Sequence, residues 1–133
     1  MNVLIDTSVW VAHFRYRSDA LVELVVLDLA LTHPMVIGEL ACGTPPAPRG
    51  RTLHDIGLLR SAALPTQAEV LAFIEDRQLY GLGCGLIDIH LLASTLMTPG
   101  ATLWTLDRRL AELAARFGVA HSFTSQPQEG KLS

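Results

Sequence analysis

Residues 2–14 read NVLIDTSVWVAHF, and this stretch limits the fold more than any other. The apolar run NVLI suits a strand buried on both faces. It ends on Asp6, and the period then changes. Val9, Val11, Ala12 and Phe14 mark one face of a helix, with Ser8 placed to cap it. A buried strand that passes straight into a helix belongs to an α/β fold, and the alternation continues along the chain.

A second helix is expected over 19–31, capped by Asp19, because apolar residues recur there at three and four. A residue or two of strand is expected at 32–34, then a short helix at 36–41 closed by Gly43. TPPAPRG is a Pro-rich loop, too short to link domains. An amphipathic helix is expected over 51–63 and a third strand at 64–65. Thr66 and Glu69 form a capping box that opens the next helix. GLIDIHLLASTLM reads as a buried helix stopped by Pro99-Gly100. ATLWTLD alternates as a strand, RRLAELAARFG is a helix ended by Gly118, and VAHSF is a candidate last strand. The expected architecture is one three-layer domain over 1–125 with a parallel sheet, followed by a polar tail at 126–133. In such folds the functional groups sit at the carboxyl ends of the strands.

Composition narrows the function. The formal net charge of −3 excludes nucleic-acid binding by bulk charge alone, so such binding needs local arginines or a bound cation. The one lysine is Lys131, near the end of the sequence. Cys42 and Cys84 lack any metal-ligand spacing and read as buried, reduced thiols. The N-terminus has no leader pattern, and VELVVLDLALTH is too short to span a membrane and is broken by Asp28. A soluble cytoplasmic protein is expected, with no membrane partner.

Four acids stand out by context: Asp6 and Asp107 at strand ends, Glu39 in MVIGELACG, and Asp88 in GLIDIHLLASTL. Asp6 and Asp107 can also be read as plain N-caps, and Glu39 as a solvated residue. Asp88 is flanked by Ile87 and Ile89, and a buried carboxylate without a partner is costly. An arginine or a metal can serve as that partner. Taken together, the four suit oxygen-only ligation of Mg²⁺ or Mn²⁺, a site that can activate water at a phosphodiester. Ser8 and Thr105 supply hydroxyls beside the acids.

LIDTSVW, GEL, IDIHLLAS and LWTLDRRL, in this order, resemble the PIN-domain ribonucleases, and more narrowly the VapC toxins of bacterial toxin–antitoxin pairs. The resemblance spans residues 3–118. It implies an α/β/α sandwich around a parallel sheet of four or five strands, and a Mg²⁺- or Mn²⁺-dependent endoribonuclease that cleaves single-stranded RNA. Asp6, Glu39, Asp88 and Asp107 fall on the family's acidic positions, and Ser8 and Thr105 on its hydroxyl positions. Some members carry a further aspartate after the position of Asp107, where this chain has Arg109 and Leu110. The resemblance implies one or two metal ions, and four acids without a fifth count against a tightly bound second one. A cognate antitoxin covering the site is implied as well. The apolar helix DALVELVVLDLAL fits a homodimer. Arg15, Arg17, Arg49, Arg51, Arg108 and Arg109 are the candidates for contacts to RNA phosphates.

Rival readings fare worse. A receiver domain needs paired acids after the first strand and a lysine after the last; a haloacid-dehalogenase-type phosphatase needs D-x-D and a lysine. This chain has Asp6-Thr7-Ser8, and its lysine lies at 131. Gly81, Gly83 and Gly85 follow a helix, and Leu86 breaks the dinucleotide pattern, so they read as a turn. His90 lies about 200° around the helix from Asp88 and reads as a packed core residue. The remaining alternative is a PIN-like RNA- or protein-binding module without activity.

Overall fold

The computed structural model describes residues 1–122. The end of the domain at 125, the tail at 126–133 and Lys131 lie outside the described residues. The elements run β1 (Asn2–Ile5), α1 (Thr7–Arg15), α2 (Asp19–Val26), β2 (Ala30–Thr32), α3 (Pro34–Cys42) and α4 (Arg49–Gly57). They continue with β3 (Arg60–Ser61), α5 (Gln67–Arg77), α6 (Leu86–Met97), β4 (Ala101–Trp104) and α7 (Arg108–Arg116).

The strands form one parallel sheet in the order β3-β2-β1-β4. The residues of β2 and all but the first of β1 are buried, because helices cover both faces. This is the expected α/β/α sandwich. Of the VAHSF stretch, residues 119–122 are described and contribute a single parallel bridge, Leu103 to Ala120, beside β4, while Phe123 lies outside the described residues. β1 pairs on one side with β2 and on the other with β4. The chain therefore builds outward in one direction and returns on the other side of β1, and such a reversal is where α/β folds form their crevice, here at the carboxyl ends of β1 and β4.

Several expectations change in the structure. The helix expected over 19–31 stops at Val26, and Ala30–Thr32 is β2. An apolar run reads alike as helix or buried strand, so periodicity could not separate them. Asp28 makes the break by taking a left-handed φ of 59°. Arg60 pins that turn from a distance: its guanidinium donates to the Asp28 carbonyl at 2.5 Å and to Asn2 Oδ1 at 2.8 Å. Arg60 itself lies in β3, within the stretch expected to be helical, and residues 64–65 form no strand. The sheet edge is made instead where Ala62 N–H donates to the Thr32 carbonyl at 3.0 Å.

The caps shift as well. Ser18, not Asp19, caps α2, its hydroxyl accepting from Leu21 N–H at 3.2 Å. Asp6, not Ser8, caps α1. Cys42 is exposed and Cys84 half-buried, rather than core residues. The capping box of α5 forms as read, with Glu69 N–H to Thr66 Oγ1 at 3.1 Å and Thr66 N–H to Glu69 Oε1 at 2.7 Å. Among the described residues, no helix is long and apolar enough to cross a membrane.

Candidate functional site

The crevice is organised around Asp6. It follows the central strand and is only 5% exposed. Its Oδ2 accepts from Ser8 Oγ at 2.6 Å, from Thr105 Oγ1 at 2.7 Å and from Ser8 N–H at 3.4 Å. Ser8 Oγ in turn accepts from Leu106 N–H at 3.0 Å, and Thr105 Oγ1 from Asp107 N–H at 3.0 Å. The two hydroxyls expected beside the acids thus lock the end of β1 to the end of β4. Three bonds hold Oδ2 and leave Oδ1 outside the set.

Asp107 does not end the strand. β4 stops at Trp104, and Asp107 is the N-cap of α7, its Oδ1 accepting from Leu110 N–H at 3.0 Å. The bend follows because Thr105 and Ser8 capture the backbone of residues 106 and 107. Glu39 rides on α3 with Oε1 accepting from Thr7 Oγ1 at 2.6 Å. Asp88 sits in the first turn of α6 and is half-buried rather than embedded, since Gly85 and Leu86 beside it are exposed. Its Oδ2 accepts from Gly85 N–H at 3.2 Å. The glycines before it form the expected turn, Gly81 and Gly83 with φ of 72° and 83°.

One pattern joins the four carboxylates. Among the described residues each commits one oxygen to a hydrogen bond and leaves the other outside any. Among the described residues none has an arginine partner, and the ion pairs join Arg17 to Asp19, Arg51 to Asp55 and Arg60 to Asp28. The charges of three of them bear on the fourth. The Asp88 carboxyl is pushed above the usual range first by burial, then by the negative charges of Asp6, Asp107 and Glu39, while the Gly85 N–H opposes the rise. Cys84 lies in the same field. Burial, Asp88 and Asp107 push its thiol up, and Arg109 opposes them.

The candidate arginines divide. Arg17 and Arg51 are held in ion pairs with their neighbours. Arg49 donates to the Ala41 carbonyl at 2.6 Å and the Gly43 carbonyl at 3.1 Å. Arg15 lines a cavity together with Glu39. Arg109 passes beneath Gly83. Arg108 is exposed at the start of α7.

Two residues at the site escaped the sequence reading. Thr7 binds Glu39, and its position next to Asp6 was the available clue. His33 is 2% exposed and N-caps α3, its Nδ1 accepting from Met35 N–H at 3.0 Å. Its Nε2 is 2.8 Å from Ser94 Oγ on α6. The ring ties the helix that carries Glu39 to the helix that carries Asp88, and burial, then the nearby His90, lowers its pKa to about 4. Nothing in the spacing of the histidines marks this bridge. His90 itself is buried and bonds Gln67 Oε1 at 3.1 Å.

No family model matches the chain. Among curated proteins, it is 42% identical over 118 residues to Ribonuclease VapC32 of Mycobacterium tuberculosis, in strain CDC 1551 / Oshkosh and equally in strain ATCC 25618 / H37Rv. The alignment covers 89% of this chain and 94% of that protein. The chain belongs to the VapC ribonuclease family. In this VapC chain the oxygens available near Asp6 are those of carboxylates. Four carboxylates, each with a spare oxygen, match a hard divalent ion such as Mg²⁺ or Mn²⁺. Cys84 is soft, and its raised pKa keeps it a thiol. Among the described residues, no three His, Cys, Asp or Glu side chains already stand as a cage. Of the four acids, Asp6 is the buried one, held by three hydrogen bonds to one oxygen.

Proposed function

We propose that this chain is a Mg²⁺- or Mn²⁺-dependent endoribonuclease that cleaves single-stranded or loop RNA and acts as the toxin of a type II toxin–antitoxin pair. The observation that carries the reading is the set of four carboxylates around the β1/β4 crevice, each with an uncommitted oxygen and none neutralised by an arginine. The identity to a ribonuclease supports the substrate class.

Asp6, Glu39, Asp88 and Asp107 would hold the cation. When bound, it offsets their repulsion, acidifies water and neutralises charge on the phosphoryl group. Within the chain, Ser8 and Thr105 keep Asp6 oriented, and Thr7 does the same for Glu39. Gly85 N–H turns Asp88 into the crevice. A cognate antitoxin is the expected partner and the cytoplasm the expected location. A homodimer is supported by exposed apolar residues near the end of α2, where Val26 is 75% and Leu27 58% exposed.

The test is cleavage of an RNA panel with Mn²⁺ present. Cuts leaving 5′-phosphate and 3′-hydroxyl ends are expected. Asp6→Asn and Asp88→Asn should each lower the rate at least about 100-fold, as removal of a key electrostatic group does elsewhere, with the circular dichroism spectrum unchanged. Ends of the 2′,3′-cyclic phosphate type overturn the mechanism. A folded chain that cuts nothing returns the binding-module reading.

A further inference from the structure

A cavity of about 480 Å³ adjoins the acidic crevice. Its walls are Val11, Phe14 and Arg15 of α1, Glu39 and Leu40 of α3, and the loop 43–46. Glu39 lines the cavity and is one of the four acids, so a ligand seated here abuts that carboxylate. The volume falls within the range of about 300–1,000 Å³ typical of small-ligand pockets.

Intramolecular bonds hold the outer wall in place. Arg49 reaches back to the Ala41 and Gly43 carbonyls at 2.6 and 3.1 Å, and Thr52 Oγ1 donates to the Pro46 carbonyl at 2.8 Å. Arg49 therefore acts as a strut for the loop. Opposite that wall, Phe14 packs with Trp10, ring centroids 6.4 Å apart. The lining combines an aromatic ring and two prolines with one cation and one carboxylate. That chemistry matches a nucleotide: an apolar slot for the base and a guanidinium for a phosphate or a base edge, beside a carboxylate reserved for the cation.

We infer that this cavity is a nucleotide subsite that seats the residue next to the scissile phosphate and selects among bases. Arg15 makes the polar contact, and Phe14 with Pro45 and Pro46 lines the slot. The inference rests on the ribonuclease reading for its polymer, but binding tests it without cleavage.

The experiment selects a random pool of short single-stranded RNA for binding in EDTA, using the full chain, Arg15→Gln and Thr44→Trp. Both altered positions are exposed, and the second substitution puts bulk at the cavity wall. The parent chain should enrich one base at one position. Both variants should lose that enrichment and bind the preferred oligonucleotide at least about 10-fold more weakly, with unfolding midpoints unchanged. An unselective parent chain, or variants that keep its preference and affinity, overturns the inference. Cleavage of the same pool with Mn²⁺ reports separately on the nuclease. Loss of cutting with selective binding intact rejects the enzyme and keeps the subsite; cutting without selection does the reverse.

Discussion

Acid should loosen this protein through His33 before it protonates the carboxylates in bulk. In the folded chain Nδ1 must accept from Met35 N–H, so a proton there would set two donors face to face. Burial, followed by the charge of His90, lowers the pKa from 6.5 to about 4. The sign follows from that direction. Between these values the unfolded chain binds the proton more readily, so stability is complete above about pH 6.5 and falls as pH drops toward 4. Unscreened, the loss by pH 5 is about 2 kcal/mol, and discounting for solvent leaves on the order of 1 kcal/mol.

The assay is urea unfolding at pH 7.5, 6.0 and 5.0 (roughly spanning the titration of a histidine), followed by tryptophan fluorescence. His13 and His121 also have lowered pKa values and contribute with the same sign. His33→Asn separates them. Asparagine keeps the cap but gives up the ring and its bond to Ser94. The variant should be less stable at pH 7.5 by about 1–2 kcal/mol, and the gap should close by about 1 kcal/mol at pH 5. Parallel curves, with a gap constant to within about 0.3 kcal/mol, would refute the argument.

Thr105→Val removes one of the two hydroxyls on Asp6 Oδ2, and should lower RNA cleavage about 10-fold or more with about 1–2 kcal/mol lost in stability; full activity in a cleavage time course would show that Asp6 needs no such support. Gly83→Ala meets two obstacles, a φ of +83° and a Cβ that would lie 2.5 Å from an Arg109 guanidinium nitrogen. The single variant should lose about 1–2 kcal/mol, and Arg109→Ala in the same chain should relieve only the contact. Equal stability of the single variant and the parent would contradict the turn geometry.

The parts legible in the sequence were those where local pattern and tertiary role coincide. The run NVLI is buried as a strand, and the capping box of Thr66 and Glu69 forms without help from afar. The α/β pattern allows the strands before Asp6 and Asp107 to be neighbours without requiring it, and it is the structure that pairs β1 with β4. What was not legible depends on distant partners. Ala30–Thr32 becomes a strand because β1 lies beside it and Arg60 pins the turn before it. His33 acquires its role only when Ser94, 61 residues away, arrives beside it. At the site, residue types were readable but hydrogen-bond assignments were not. Asp6 takes over the capping role expected of Ser8, and Arg49 turns to its own loop.

The Thr105–Asp6 bond spans 99 residues of sequence. Its consequence concerns timing during synthesis. A growing chain can make β1 and α1 early, yet Asp6 stays unclamped until β4 has emerged and paired. Contacts of such separation form late and are lost together when β4 detaches. The proposed nuclease would therefore be assembled only once β4 and Thr105 have emerged, and nascent fragments ending before β4 would lack the clamp that orients its central carboxylate.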